Sequence, residues 1–135
     1  MKKMAVVFSV CLLFVLSIIM SQSARAEEET YYARCNLKVL KGNQITWVNY
    51  QAAPTFIPAG TELKVSKGGD KATLVNAGTN IIYTMDIGAA GDQFFEKFLT
   101  RTPVSLSGFP ENFQKDIKQG VPRIGMSKKQ VYIAM

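Results

Sequence analysis

The chain has 135 residues with 16 lysines and arginines, 10 aspartates and glutamates, two cysteines, no histidine and 47% apolar residues. That length holds one domain, or one domain with an appendage. The absence of histidine excludes Ser-His-Asp and Cys-His catalysis, imidazole acid/base chemistry and every zinc site that uses imidazole.

Met1-Lys2-Lys3 is a short positive start, Met4 to Met20 is an uncharged apolar run, and Ser21 to Ala26 leads into Glu27-Glu28-Glu29. Ala24-Arg25-Ala26 fits the small-x-small rule for signal peptidase, so residues 1–26 are expected to be a cleaved secretory signal that sends the protein to the periplasm or cell envelope. The alternative is an uncleaved membrane anchor, because a 17-residue run is at the lower edge of what spans a bilayer. Ser21-Gln22-Ser23 and the Ala-x-Ala motif favour cleavage. Cys11 is followed by Leu12-Leu13-Phe14 and is badly placed to be a lipid-modified first residue. Residues 27–135 carry 13 basic and 10 acidic side chains, so the net charge falls from +6 to +3. A nucleic-acid partner, which needs a clustered basic stripe, loses its main support. Cys35 is the one cysteine left, so it is either buried or free to pair with another chain.

Residues 30–87 alternate short apolar stretches with turn residues. Thr30 to Leu40 places Tyr31, Ala33, Cys35, Leu37 and Val39 on one face and Tyr32, Arg34, Asn36 and Lys38 on the other, the period of a half-buried strand. Lys41 to Gln44 turns the chain, and Ile45 to Tyr50, dense in β-branched and aromatic residues, is expected to be its hairpin partner. Gln51 to Thr61 reads as loop. Strands follow at Glu62–Ser66, Lys71–Val75 and Asn80–Ile87, separated by Gly- and Asn-containing turns. Five strands in this span predict a small barrel or twisted meander. Ile57-Pro58-Ala59-Gly60-Thr61-Glu62-Leu63-Lys64-Val65 resembles the phrase that precedes the central hairpin of bacterial SH3-like barrels. The resemblance, over residues 30–87, implies binding to peptides, cell-wall material or other domains rather than catalysis. Tyr32, Trp47, Tyr50 and Phe56 are the candidate ligand-binding face, with core packing as the competing role for Trp47.

Gly88 to Gly91 is a joint, after which Asp92 caps a helix over Gln93–Leu99 whose Phe94, Phe95, Phe98 and Leu99 anchor onto a neighbouring core. Thr100 to Gly108 reads as loop. Pro110 opens a second helix that Gly120 and Pro122 close. Ser127-Lys128-Lys129-Gln130 is a capping box that starts a third helix, and no Gly, Asn or late basic residue stops it before Met135. Residues 124–135 (IGMSKKQVYIAM) resemble the opening motif of the SmpA/OmlA family of small bacterial envelope proteins, Gly-Met-[Ser/Thr]-x-x-x-Val-x-x-x-x-Gly-x-Pro. That resemblance implies an α+β domain in which helices pack on a short antiparallel sheet. The expectation is a signal over 1–26, an SH3-like β domain over 27–91, and a helical segment over 92–135 that begins an SmpA/OmlA-like module of a longer protein.

The fold class expected is therefore mostly β with short C-terminal helices. The function expected is that of a non-catalytic exported envelope protein whose barrel binds or scaffolds a protein or cell-envelope component, with no cofactor, no metal and no nucleic acid, and with membrane contact only through an uncleaved signal. An enzyme would have to use Cys35 as nucleophile, or Asp86 and Asp92 as paired carboxylates across a flexible joint. Arg34, the nearest cation to Cys35 in sequence, falls on the opposite strand face from the thiol.

Overall fold

The computed structural model describes residues 27–46, 53–88 and 91–135, so residues 1–26, read above as a signal, and Trp47 and Tyr50 lie outside the described residues. Along the chain run β1 (Glu29–Ala33), β2 (Leu37–Val39), β3 (Gln44–Ile45), β4 (Thr55–Ile57), β5 (Glu62–Gly68), β6 (Lys71–Asn76) and β7 (Ile82–Asp86). Then come α1 (Gly91–Phe98), β8 (Leu99–Thr100), α2 (Glu111–Lys118) and α3 (Lys128–Ala134). The fold is mostly β with short helices in the C-terminal part.

A curled six-stranded sheet has the order β3-β7-β6-β5-β1-β8, and β2 and β4 form a separate pair. Its centre is the β5–β6–β7 meander that the turn residues predict, in antiparallel register with Val65 opposite Leu74 and Leu74 opposite Tyr83. Because side chains alternate across a strand, Leu63, Val65, Ala72, Leu74, Tyr83 and Met85 share the buried face. Glu62, Thr73, Thr84 and Asp86 face outward. Each fully buried Leu, Ile or Phe side chain on that inner face contributes about 1.5–3 kcal/mol.

The expected strand from Thr30 to Leu40 is two strands with a corner between them. β1 pairs with β5 and β8, whereas β2 pairs with β4 in the other sheet. Of the expected hairpin between this strand and Ile45–Tyr50, the described residues show one antiparallel bridge, Leu40 to Gln44, across the predicted turn, and residues 47–50 lie outside the described residues. β3 lies parallel to β7, with Ile45 opposite Met85. β4 occupies part of Gln51–Thr61, read as loop, and β8 joins Leu99, read as the end of a helix, to Thr100, read as loop.

Asn36 makes the corner. It is fully buried, although strict alternation puts it on the solvent side. Its Nδ2 donates to the carbonyls of Ile117 at 2.7 Å and Ala134 at 2.9 Å, and its Oδ1 accepts from the Ala59 backbone N–H at 2.9 Å. The Asn36 backbone N–H donates to the Ile133 carbonyl at 2.9 Å. The last carbonyls of a helix have no partner within the helix, and here one side chain caps α2 and α3 together. The stop signal missing from the third helix is thus supplied by a residue 98 positions earlier. Its start is the capping box the sequence predicts: Ser127 Oγ accepts from the Gln130 N–H and Gln130 Oε1 accepts from the Ser127 N–H.

The main core runs from Tyr31 to Leu99 and includes Phe95, Phe98 and Leu99, so the apolar stripe of α1 and β8 anchors onto the sheet and bridges the boundary expected between residues 91 and 92. Asp92 lies inside the first turn of α1 rather than capping it, and pairs with Lys67. A second core of Ile117, Ile133 and Ala134 holds α2 against α3, with Ala59, Phe109 and Met126 around it.

Candidate functional site

The chain turns at the end of β1 because the Arg34 backbone N–H leaves the ladder and donates to the Phe98 carbonyl at 2.8 Å. That turn buries Cys35 and Asn36 and leaves the Arg34 side chain exposed between two surface depressions, both of which also include Thr100.

The first depression, about 450 Å³, lies where α1 meets β1 and β8. On its floor the rings of Tyr31 and Phe95 meet edge to face, with centroids 5.0 Å apart and planes at 88°. Lys67 Nζ sits 4.2 Å from the Phe95 ring centroid and 2.9 Å from Asp92 Oδ1. Arg101 lies over Tyr31, 5.4 Å from the ring centroid. Its Nη2 donates to the two Glu29 carboxylate oxygens at 2.8 and 2.9 Å and to the Tyr31 hydroxyl at 3.3 Å. The Tyr31 hydroxyl in turn donates to Glu29 Oε2 at 2.8 Å. That bond, reinforced by Arg101, holds the Glu29 carboxyl below its ordinary range. Asp92, hydrogen-bonded to Lys67, raises the ammonium above its ordinary value.

The second depression, about 410 Å³, is the channel between residues 102–105 and α3. The loop wall is set by Gly60, whose φ of +84° suits glycine and whose Cβ, were one present, would stand 2.9 Å from the Val104 carbonyl oxygen. The helical wall presents Lys129, Tyr132 and Ile133. The Tyr132 hydroxyl donates to the Lys97 carbonyl, tying α3 to α1. Arg34 and Lys129 are the charged residues lining this channel, and no carboxylate does. Among the described residues the ion pairs involve Lys64, Lys67, Arg101 and Arg123, so neither Arg34 nor Lys129 has a carboxylate partner there. Lys129 Nζ stands 6.0 Å from the Phe109 ring centroid.

Charge is divided unequally along the chain. Residues 27–96 hold six cations and eight carboxylates, whereas residues 97–135 hold seven cations and two carboxylates. One of those two, Asp116, is buried and held by Arg123 through Nε at 2.6 Å and Nη2 at 2.8 Å. The channel is walled by this cationic part.

The aromatic face expected from sequence falls in separate places. Tyr32 is half-buried on β1, facing away from Tyr31, opposite Glu62 and Thr100 in the neighbouring strands. Phe56 is half-buried on β4 in the other sheet, where Lys38 Nζ lies 5.1 Å from its ring centroid and Gly120 packs against its edge. Neither lines the two depressions around Arg34. Trp47 and Tyr50 lie outside the described residues.

Cys35 is 2% exposed, and burial pushes its thiol up to about 11. Asp86 accepts from the Gly88 N–H at 3.0 Å, and Asp92 holds Lys67, so each carboxylate is engaged locally. Among the described residues no group of three or more Cys, Asp or Glu side chains is placed to hold a metal ion, and no helix is long and apolar enough to cross a membrane. The residues sequence reasoning missed are Arg34, Thr100, Thr102, Lys129 and Tyr132. Arg34 reads as an ordinary outward strand position, and nothing local marks the turn that sets it beside a helix nearly 100 residues later. Comparison of the chain with protein-family models, curated proteins and solved structures finds no match.

Proposed function

We propose that the protein is a non-catalytic exported binding protein of the periplasm or cell envelope, and that the two depressions meeting at Arg34 are the face that receives its partner, a protein or cell-envelope component. The observation that carries this reading is the channel beside Arg34: two cations without a carboxylate partner, between walls fixed by Gly60 and by the doubly tied helix α3. A cleft of this size, with apolar walls and a few convergent polar groups, has the usual make-up of a binding site. Cys35, the candidate nucleophile, is a buried thiol with a raised pKa, which is the environment of a packing residue. The signal-like first 26 residues support export, and the resemblance of residues 30–87 to SH3-like barrels supports binding or scaffolding.

The test is photo-crosslinking in living bacteria that export the full chain, with a benzophenone amino acid at Thr102 on the channel wall or at Thr73 on the outer sheet face. A discrete heavier adduct from position 102 and none from 73 is the expected result, with exported material beginning at Glu27. Equal labelling from both positions, or a chain retained in the cytoplasm at full mass, would overturn the proposal.

A further inference from the structure

The channel between residues 102–105 and α3 has a lining that selects among ligands. The geometry points to a carboxylate-bearing peptide end, the free C-terminal carboxylate of a segment whose last side chain is apolar, with Arg34 as its receptor. This inference rests on the binding role proposed above and adds the ligand's chemistry.

Three features of the channel carry it. Arg34 is an exposed guanidinium with no carboxylate partner among the described residues, at the mouth of a cleft lined by no carboxylate. A guanidinium offers a planar fork of N–H donors that matches a carboxylate, and such charge-assisted pairs are stronger than neutral ones. The contrast with the adjoining depression is informative, since Lys67 and Arg101 there are already engaged by Asp92 and Glu29. Behind Arg34 the walls are of two kinds. Pro103, Val104 and Ile133 offer apolar surface for one side chain, and the hydroxyl-bearing Thr100, Thr102 and Ser105 border the path a peptide backbone would follow. A volume of about 410 Å³ suits one or two residues rather than a folded domain. Lys129 at the helical wall adds a second positive charge that favours an anionic end over a neutral one.

The experiment uses the exported chain and three probes: acetyl-Gly-Gly-Leu with a free carboxylate, the same peptide as its C-terminal amide, and inorganic phosphate. Backbone amide shifts are followed by NMR at low and at physiological salt. The carboxylate peptide is expected to shift Arg34, Thr100, Thr102 and residues 129–133, with binding that weakens as salt rises. The amide is expected to bind at least about tenfold more weakly, as is the carboxylate peptide to R34Q, in line with loss of a charge-assisted hydrogen bond. The Arg34 side chain is exposed and holds no ion pair among the described residues, so R34Q should keep the wild-type unfolding midpoint, and a K129A variant gives an independent, smaller loss. Equal binding of peptide and amide, shifts confined to Lys67 and Asp92, or an R34Q variant that binds like wild type would overturn the carboxylate assignment. So would phosphate competing as well as the peptide, which would make the channel a general anion site. If cross-links from Thr102 persist while peptide and amide are bound alike, the binding role stands and only the ligand chemistry falls. If both experiments are blank, both proposals fall.

Discussion

Replacing Asn36 by alanine removes one side chain and unties two helices. Three hydrogen bonds disappear, to Ile117 O, Ala134 O and from the Ala59 N–H. Each is worth about 0.5–1.5 kcal/mol net, and a buried group left without its partner costs about 1–3 kcal/mol more. Relaxation and entering water recover part of this, so N36A is expected to lose about 3–5 kcal/mol, a large share of the roughly 5–15 kcal/mol available to a small domain. The loss should be uneven. α3 has seven residues and cannot hold helical structure in isolation, so residues 127–135 should exchange their amide hydrogens ahead of global unfolding. Urea titration followed by circular dichroism measures the first effect, and hydrogen-exchange mass spectrometry of the C-terminal peptide measures the second. N36D separates geometry from volume, because an ionised carboxylate would face two carbonyl oxygens. Burial and those oxygens raise the pKa of the new aspartate in the folded state, while in the unfolded chain it titrates near about 3.9. The folded form then holds the extra proton, so the stability of N36D relative to wild type at the same pH should be highest below about pH 4 and fall as pH rises through the raised folded value. An N36A variant within about 0.5 kcal/mol of wild type, with its C-terminal amides as protected as before, would refute the clamp.

Three further outcomes follow from other contacts. The Asp116 carboxyl is held below its ordinary range first of all by hydrogen bonds from Arg123, so its stabilising contribution is present above the unfolded value and is lost as pH falls through the lowered folded value. Thermal unfolding should show an acid limb that sets in below about pH 4 and that D116N flattens, and an unchanged limb would count against the pair. G60A forces a Cβ to within 2.9 Å of the Val104 carbonyl at a φ of +84°. It should cost about 1–3 kcal/mol and shift the amides of residues 102–105, whereas a wild-type spectrum and urea midpoint would show that Gly60 does not set that wall. The Cys35 thiol, pushed up to about 11 by burial, should react with a maleimide only as fast as the protein unfolds, and rapid labelling of the native chain would reopen a reactive role.

How much of this fold the residues announce depends on how local the determining interaction is. The β5–β6–β7 meander is legible because its apolar residues alternate strictly and its turns carry Gly69, Asp70, Asn76 and Gly78. The starts of α2 and α3 are legible for the same reason, since Pro110 and the Ser127–Gln130 box act within one turn. β4 is only three residues long and lies between Pro54 and Pro58, and β8 is two residues continuing a helix, so neither shows a period of its own. The corner at Arg34–Asn36 is illegible for a stronger reason. Alternation runs unbroken through Tyr31, Ala33, Cys35, Leu37 and Val39, all of them buried, and nothing in that run says that Asn36 and Lys38 are buried as well.

The departure at Asn36 accounts for the candidate site as well as for the fold. A continuous strand from Thr30 to Leu40 would carry Arg34 and Asn36 side by side on a solvated face, with no helix near either. Turning the chain after Ala33 moves Asn36 into the interior, where its amide finds two helix ends, and those helix ends bring α3 alongside residues 102–105. Arg34, one side of the same turn, is left at the mouth of the channel so formed. The aromatic residues that stand out in the sequence, Tyr32 and Phe56, go instead to separate sheets. The clamp and the channel are therefore coupled: a variant that frees α3 removes one wall of the cleft. N36A should accordingly lose the peptide response at Thr100 and Thr102 even where the six-stranded sheet stays folded, whereas R34Q should lose it with α3 still protected. Observing that pattern would separate the residue that builds the channel from the residue that receives the ligand.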